Sequence, residues 1–220
     1  PAFAALLADV DPATITTREA LAGLPVVRKS ELLELQKGAR PFGGFAAVKW
    51  GTGCARVFAS PGPIYEPEGT RKDYWRLARA FYAAGFRAGD LVHNTFSYHF
   101  TPAGSMTETA AHALGCTVFP AGVGQTEQQV AAMLDLRPDA YAGTPSFLRI
   151  ILDKADELGV KIDSLTKAFV SGEAFPPSQR EALAARGIQA YQAYATADIG
   201  LIAFETPARA ATSSSRVPAK

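Results

Sequence analysis

The segment LTKAFVSGEAFPPSQREALAARGIQAYQAYA, residues 165–195, decides the fold. It starts as a short apolar strand, continues as a helix introduced by two prolines, and ends as a second strand. A strand–helix–strand unit of this kind joins its strands by a right-handed crossover and builds a parallel sheet. The segment therefore predicts an α/β fold.

The same alternation runs through most of the chain. Further strands are predicted in ARVFAS, DLVHNTF, CTVFPAG and DAYAGT, and helices in RKSELLELQKG (capped by Ser30), TRKDYWRLARAFYAAG, SMTETAAHALG, TEQQVAAMLDLR (capped by Thr126) and PSFLRIILDKADELG. The strands are short apolar runs without strict alternation, which indicates a mainly parallel sheet flanked by helices on both faces. Residues 1–25 are expected to be partly helical, and residues 206–220, which are small and polar, are expected to be disordered.

Composition narrows the function classes. A formal charge of +1 over 220 residues gives no reason to expect a nucleic-acid partner. No apolar run approaches the roughly 18 residues of a membrane span, and the start does not read as a signal peptide. Cys54 and Cys116 are too few for a disulfide framework, so reduced thiols and a cytoplasmic location are expected. A chain that begins with Pro is expected to have lost a leader or an upstream segment.

Candidate site residues follow the strands, because ligands of such sheets bind beyond the carboxyl ends of the strands. Ser171 and Gly172 leave room for a flat ligand, and Glu173 offers an acceptor; an ordinary strand-to-helix turn explains them equally. Because residues three apart on a strand point to opposite faces, one of Tyr191 and Tyr194 is expected to pack in the core and the other to meet a ligand at the end of the strand. Asp198 is expected to hold a hard cation; the alternative is a core strand with a capping Asp.

Two further strand ends carry alternatives. Tyr98, His99 and Phe100 would line an acyl or aryl pocket, although a lone His is also typical of a hydrogen-bonded structural residue. Thr144 would face a ligand or simply begin a helix with Pro145.

The segment RVFASPGPIYEPEG, residues 56–69, begins like a strand that feeds a small-residue loop. This is the place for a phosphate cradle in an α/β protein, but the loop has three prolines, two acids and no Lys. It is interpreted either as an altered phosphate loop or as only a turn.

From about Leu24 to Phe204 the sequence resembles the phenylacetate–coenzyme A ligase family of adenylate-forming acyl-CoA synthetases. Four segments carry the resemblance in the family's order: GFRAGDLVHNTFSYHFTPAGSMTETAAHALGCTVFP, GQTEQQVAAMLDLRPDAYAGTPSFL, SLTKAFVSGEAFPPSQREAL and IQAYQAYATADIGLIAFE. The resemblance implies that residues 26–205 form part of the large domain of such an enzyme. It also implies ATP, Mg²⁺ and coenzyme A as cofactors and a small carboxylic acid as partner, with no nucleic acid and no membrane. A homodimer is left open, because a sheet edge exposed by truncation favours pairing.

The family's chemistry has two steps. The carboxylate of the acid attacks the α-phosphate of ATP, which releases pyrophosphate and gives an acyl-adenylate; the coenzyme A thiolate then displaces AMP. By position, the resemblance gives nucleotide contacts to the residues Ser60, Gly62, Ser171, Gly172, Glu173, Ala174, Tyr194 and Thr196. It gives a magnesium ligand to Asp198 and the border of the acyl group to Tyr98, His99, Phe100 and Thr101.

The sequence departs from the family pattern in three places. Ala197 stands where the family has a phosphate-binding Thr, and Asp198 where it has a Glu. The phosphate loop lacks its Thr-Thr and Lys and contains Glu66 and Glu68. The family's ribose-binding Asp and its C-terminal domain with the adenylation Lys have no counterpart before the chain ends. A truncated form with weak or no complete turnover is therefore expected, and no catalytic residue is assigned. Alternatives are an F390 synthetase-like adenylyltransferase, which uses no coenzyme A, and a non-catalytic binding module.

Overall fold

A computed structural model of the chain describes residues 2–49, 51–60 and 64–210, in two compact units, residues 1–70 and 71–220. The domain boundaries at residues 25 and 205 stay predictions. In the first unit, helices and strands are short: α1 (Ala2–Leu6), a 3-10 turn (Pro12–Thr14), α2 (Arg18–Ala22), α3 (Lys29–Gly38), β1 (Cys54–Ser60) and β2 (Ile64–Gly69). The partly helical character predicted for residues 1–25 is confirmed.

The two strands of the first unit form an antiparallel hairpin, with Ser60 opposite Ile64. The side chain of Gln36 on α3 binds the backbone of Tyr65 in both directions, donating to its carbonyl and accepting from its N–H, each at 2.9 Å. These bonds attach α3 to the hairpin and satisfy a buried amide.

The second unit contains the α/β repeat. Its elements are α4 (Ala78–Ala83), β3 (Leu91–Asn94), α5 (Ala103–Leu114), β4 (Thr117–Phe119), α6 (Thr126–Leu136), β5 (Ala140–Gly143), α7 (Pro145–Glu157), β6 (Lys167–Val170), α8 (Pro177–Ala185), β7 (Gln189–Thr196), β8 (Gly200–Phe204) and α9 (Pro207–Ala210). The six strands lie in the order β4-β3-β5-β6-β7-β8. The pairs from β4 to β7 are parallel, and β8 pairs antiparallel with β7.

The predicted α/β class and parallel sheet are thus confirmed, whereas β8 was not predicted. Of the tail expected to be disordered, Pro207–Ala210 form the short helix α9, and residues 211–220 lie outside the described residues.

The helix predicted over residues 70–85 was too long, since α4 begins only at Ala78. Asp73 and Arg76 have φ of 49° and 66°, which a right-handed helix does not allow. The Asp73 carboxylate instead accepts the backbone N–H of Ala78 at 3.2 Å, near the start of α4.

Two predicted caps were also wrong. The N-cap of α3 is Arg28, so Ser30 lies inside the helix. The N-cap of α6 is Gln125, which makes Thr126 the first helical residue.

A hydrophobic core lies between the sheet and its helices. Tyr141 and Val170 on the strands pack in one buried cluster with Leu148 and Ile151 of α7 and Leu183 of α8. This core fixes the strands whose ends carry the predicted site residues.

None of the helices within the described ranges has the length and apolar character needed to cross a membrane.

Candidate functional site at the carboxyl ends of the strands

The carboxyl ends of β3, β5, β6 and β7 lie side by side, because these strands are parallel neighbours in the sheet. The predicted residues that follow them in sequence therefore come to one edge of the sheet. Ser60 belongs to the first unit and follows none of these strands.

Gly172, the second residue after β6, has a φ of 88° that disfavours residues with a side chain. A Cβ built at this position would lie 3.5 Å from Thr144 Cγ2 and 3.8 Å from Phe96 Cε1. The glycine therefore leaves room for a methyl group beside residues that follow β5 and β3. The backbone at Gly172 is exposed, and the close approach of a flat ligand to it stays a prediction.

Glu173 joins three elements. Its carboxylate oxygen Oε1 accepts the backbone N–H of Ser146 at 2.6 Å, in the first turn of α7. Its backbone carbonyl accepts the side-chain amide of Gln192 on β7 at 3.1 Å. The carboxylate predicted as a ligand acceptor thus has a partner within the protein, and it stabilises the N-terminal end of a helix dipole.

The hydroxyl groups near this edge have structural partners too. Ser171 donates its hydroxyl to the carbonyl of Ala193 at 2.8 Å, which links β6 to β7. Thr144 is the N-cap of α7 and accepts the backbone N–H of Phe147 at 3.3 Å. Helix initiation therefore accounts for the Thr144 hydroxyl, while its methyl group faces Gly172. Ala174, next to Glu173, is exposed.

Tyr194 is 60% exposed near the end of β7, whereas Tyr191 is partly buried. The pairing of β7 with β8 shifts register between Tyr194 and Ala195, an irregularity of the kind that re-aims side chains beside binding sites. The exposed ring is available for stacking. Its contact with adenine stays a prediction.

Asp198 lies exposed in the turn between β7 and β8. In the same turn, Thr196 Oγ1 accepts the backbone N–H of Ile199 at 3.2 Å. Across the described residues, no three His, Cys, Asp or Glu side chains come together as metal ligands. Asp198 alone fits Mg²⁺ only as one carboxylate beside phosphate oxygens and water, which is a common arrangement for this ion.

The loop after β3 holds Tyr98 in place. The side-chain amide of buried Asn94 donates to the Tyr98 hydroxyl at 2.7 Å and to the carbonyl of Gly104 at 3.0 Å. A Cβ at Gly104 would lie 2.9 Å from two atoms of the Tyr98 ring, so the glycine lets that ring pack on α5. The side chain of Tyr98, which is predicted to border an acyl group, is therefore fixed in position.

The neighbours of Tyr98 differ in exposure. Thr101 is partly buried, but His99 is exposed and Phe100 is 81% exposed with a φ of 59°. An aromatic residue with this backbone conformation is strained, and such strain is frequent at functional sites. Whether residues 98–101 border an acyl group stays a prediction.

The predicted phosphate-loop geometry was wrong. Glu66 and Glu68 lie on strand β2 of an antiparallel hairpin, where a loop following a strand of the parallel sheet was expected. Ser60 is buried, and its hydroxyl lies 3.3 Å from the Ile64 carbonyl and 3.4 Å from Glu66 Oε1. Glu68 is 2% exposed and pairs with Arg56 at 3.1 Å. Gly62 lies outside the described residues.

Two curated proteins with sequences similar to this chain are both phenylacetate-coenzyme A ligases. The chain is 34% identical over 200 residues to the phenylacetate-coenzyme A ligase of Aromatoleum evansii, and 33% identical over 166 residues to that of Thermus thermophilus. The matches cover 86% and 72% of this chain. The chain belongs to the phenylacetate-coenzyme A ligase family. No protein-family model matches it.

Solved structures agree with this family of adenylate-forming enzymes. A 2-hydroxyisobutyryl-CoA ligase in complex with 2-HIB-AMP and CoA matches 90% of this chain with a TM-score of 0.79 and 25% identity. An anthranilate CoA ligase in complex with anthranoyl-AMP shares the fold, with a TM-score of 0.58 over 69% of the chain and 18% identity. The chain spans 44% and 36% of the length of the two phenylacetate-coenzyme A ligases, and 46% of the 2-hydroxyisobutyryl-CoA ligase.

Sequence reasoning missed the buried polar groups beneath the site of this family member. Thr95 donates its hydroxyl to the Tyr141 hydroxyl at 2.7 Å, and Tyr141 donates to the Thr144 carbonyl at 3.1 Å. Burial raises the pKa of Tyr141, which therefore keeps its proton. Polar residues at the end of an apolar strand, such as Asn94 and Thr95, were the signal available in the sequence.

His93 on β3 was also missed. It is fully buried, its Nε2 bonds Gln129 Oε1, and burial lowers its pKa. The amide of Gln129 donates to the carbonyls of Gly122 and Gly124, at 3.0 and 3.1 Å. His93 and Gln129 thus hold the loop that follows β4.

Proposed function

We propose that this chain provides the nucleotide- and acid-binding part of an ATP-dependent, AMP-forming acid–coenzyme A ligase. The observation that carries the proposal is the meeting of three strand-end turns at Gly172, where the missing side chain leaves room beside Thr144 and Phe96. Membership in the phenylacetate-coenzyme A ligase family, and the acyl-AMP complexes of similar structures, support this assignment of the site.

In the proposed reaction, the substrate carboxylate attacks the α-phosphorus of ATP, and the bond to pyrophosphate breaks. The coenzyme A sulfur then attacks the acyl carbon of the adenylate, and AMP leaves. Such chemistry depends on positioning and charge stabilisation more than on a protein nucleophile. The chain's own residues act as positioning groups: Gly172 gives the adenine ring access to backbone, and exposed Tyr194 stacks on it.

Asp198 is the proposed magnesium ligand. Bound Mg²⁺ would neutralise charge on the phosphates, and Asp198 would hold it together with phosphate oxygens. Its exposed position in the β7–β8 turn supports this role.

The proposed second substrate is an aryl or acyl carboxylic acid. Tyr98, fixed by Asn94 and Gly104, would form one wall of its pocket, with Thr101 beside it. Exposed Phe100 and His99 would reach the acyl group only from the solvent side. A homodimer is part of the proposal, formed through the sheet edge at β4 or β8.

One observation favours a second candidate, a non-catalytic module that binds a small acid or a partner. Glu66 and Glu68, expected in a phosphate loop, lie instead on a paired strand, and Glu68 is buried. Phosphate contacts would therefore have to come from residues other than these two.

Calorimetric titration of the 220-residue chain with ATP and Mg²⁺ separates the candidates. The ligase proposal predicts saturable binding at micromolar to millimolar ATP. Absence of binding up to millimolar ATP would reject the ligase and favour the module. If binding occurs, pyrophosphate release that requires a deazaflavin, with no stimulation by an acid, would instead favour the F390 synthetase-like enzyme.

A further inference from the structure

The turn beside Gly172 rests on a buried hydroxyl pair. Tyr141 on β5 is 0% exposed within the hydrophobic core, yet its hydroxyl accepts from Thr95 of the β3 loop and donates to the carbonyl of Thr144. Buried hydroxyls need partners, so these bonds fix the Thr95 and Thr144 segments relative to each other.

The backbone at Gly143 packs closely against the two hydroxyl groups. A Cβ on Gly143 would lie 2.1 Å from Thr95 Oγ1 and 2.2 Å from the Tyr141 hydroxyl oxygen, so only glycine fits between them. The strand therefore reaches its end without a side chain at this point, and the hydroxyl pair occupies that volume.

Thr144 connects the buried hydroxyl pair to the exposed turn at Gly172. The Thr144 carbonyl accepts the Tyr141 hydroxyl at 3.1 Å and the backbone N–H of Leu148 at 3.2 Å, and the Thr144 methyl group lies 3.5 Å from the position of a Cβ on Gly172. A shift of this turn would narrow or widen the space at Gly172. A purely structural role would be served equally well by Phe and Val, which fill the same volumes without a buried polar group.

We propose that Tyr141, supported by Thr95, is a positioning residue for the nucleotide: its hydroxyl holds the Thr144 turn in its place beside the exposed backbone of Gly172, against which adenine would lie. The inference rests on the proposed nucleotide site. It adds to that site two side chains that touch no ligand.

The test compares AMP affinity, measured by calorimetry, with stability, measured by urea unfolding. Tyr141→Phe keeps the ring and removes the hydroxyl, and it is expected to weaken AMP binding about tenfold. Thr95→Val, which leaves the bond from Tyr141 to Thr144 intact, is expected to have a smaller effect of about threefold, and Thr95→Ser is expected to restore wild-type affinity. Ile151→Val, a core change in α7, is the control for a loss of stability without a change at the turn.

The outcomes are distinct. Wild-type affinity in Tyr141→Phe, or equal weakening in Ile151→Val, overturns the positioning role alone. A wild-type chain that does not bind AMP overturns the proposed nucleotide site, and this inference with it.

Discussion

The carboxylate of Glu173, which follows β6, accepts the backbone N–H of Ser146 in the first turn of α7 at 2.6 Å. A residue expected to face a ligand thus connects two of the turns that surround Gly172. Its charge also lies at the end of the helix where the dipole favours an anion.

Glu173→Gln is predicted to lower the free energy of unfolding by about 0.5–1 kcal/mol, because the neutral amide interacts more weakly with the helix N-terminus. Urea unfolding at low and high salt measures the effect, which salt should reduce. Glu181→Gln, an exposed change on α8, is the control and should be neutral. Equal stability of the Glu173 variant and wild type would show that the charge of Glu173 contributes nothing at this helix end.

Glu68→Gln is predicted to loosen the hairpin and to leave nucleotide binding unchanged. Because Glu68 is buried against Arg56, the loss of its charge should speed amide exchange in β1 and β2 about tenfold, which corresponds to about 1.4 kcal/mol of local stability. Glu34→Gln removes an exposed partner of Lys37 and serves as control. A tenfold loss of ATP–Mg²⁺ affinity in Glu68→Gln would contradict this prediction and indicate that the hairpin contributes to phosphate binding.

Acid is predicted to destabilise the fold through His93. Burial holds its folded-state pKa below the ordinary value of 6.5, so the unfolded chain binds more protons at low pH. Its contribution to stability is therefore present above about pH 6.5 and is lost as the pH falls below that value, by at most about 1.4 kcal/mol per pH unit.

Urea unfolding at pH 7.5 and 5.5 checks the sign for His93. His93→Gln should reduce the difference between the two pH values, whereas His99→Gln, an exposed change, should keep it. An unchanged difference in His93→Gln would exclude this histidine as the cause.

Asp198→Asn is predicted to weaken binding of ATP–Mg²⁺ about tenfold, or about 1.4 kcal/mol, and to leave AMP binding without metal unchanged. Calorimetry with each ligand separates the two effects. Asp135→Asn, an exposed change on α6, is the matched control. Equal loss of both affinities would place Asp198 at the nucleoside and not at the metal.

Apolar periodicity and turn residues were enough to predict the sheet from β3 to β7, since strands such as residues 167–170 are short, apolar and bounded by turns. Side-chain hydrogen bonds across the sequence were not predictable. The amphipathic pattern of residues 70–85 matched a helix, but the Asp73 carboxylate binds the N–H of Ala78, and the preceding residues form turns.

For the candidate site, too, the positions of residues relative to the strands could be predicted, but their hydrogen bonds could not. The strand-end rule placed Gly172 and Tyr194 near the carboxyl ends of neighbouring strands, where the structure has them, because the rule depends only on the order of strands. It could not show that Ser171 and Glu173 already bind protein groups, or that Tyr141 reaches Thr95 across 46 positions. The segment 56–69 misled, because its alternation of small residues and prolines fits a loop as well as the hairpin that forms.

The central claim is that the chain binds a nucleotide at the turn of Gly172. A titration of ¹⁵N-labelled chain with AMP, followed through backbone amide shifts, tests it most directly. We predict saturable shifts at Gly172, Thr144 and Tyr194, with the amides of residues 54–60 and 64–69 unchanged. Shifts confined to the hairpin, or no shifts at millimolar AMP, would contradict the claim.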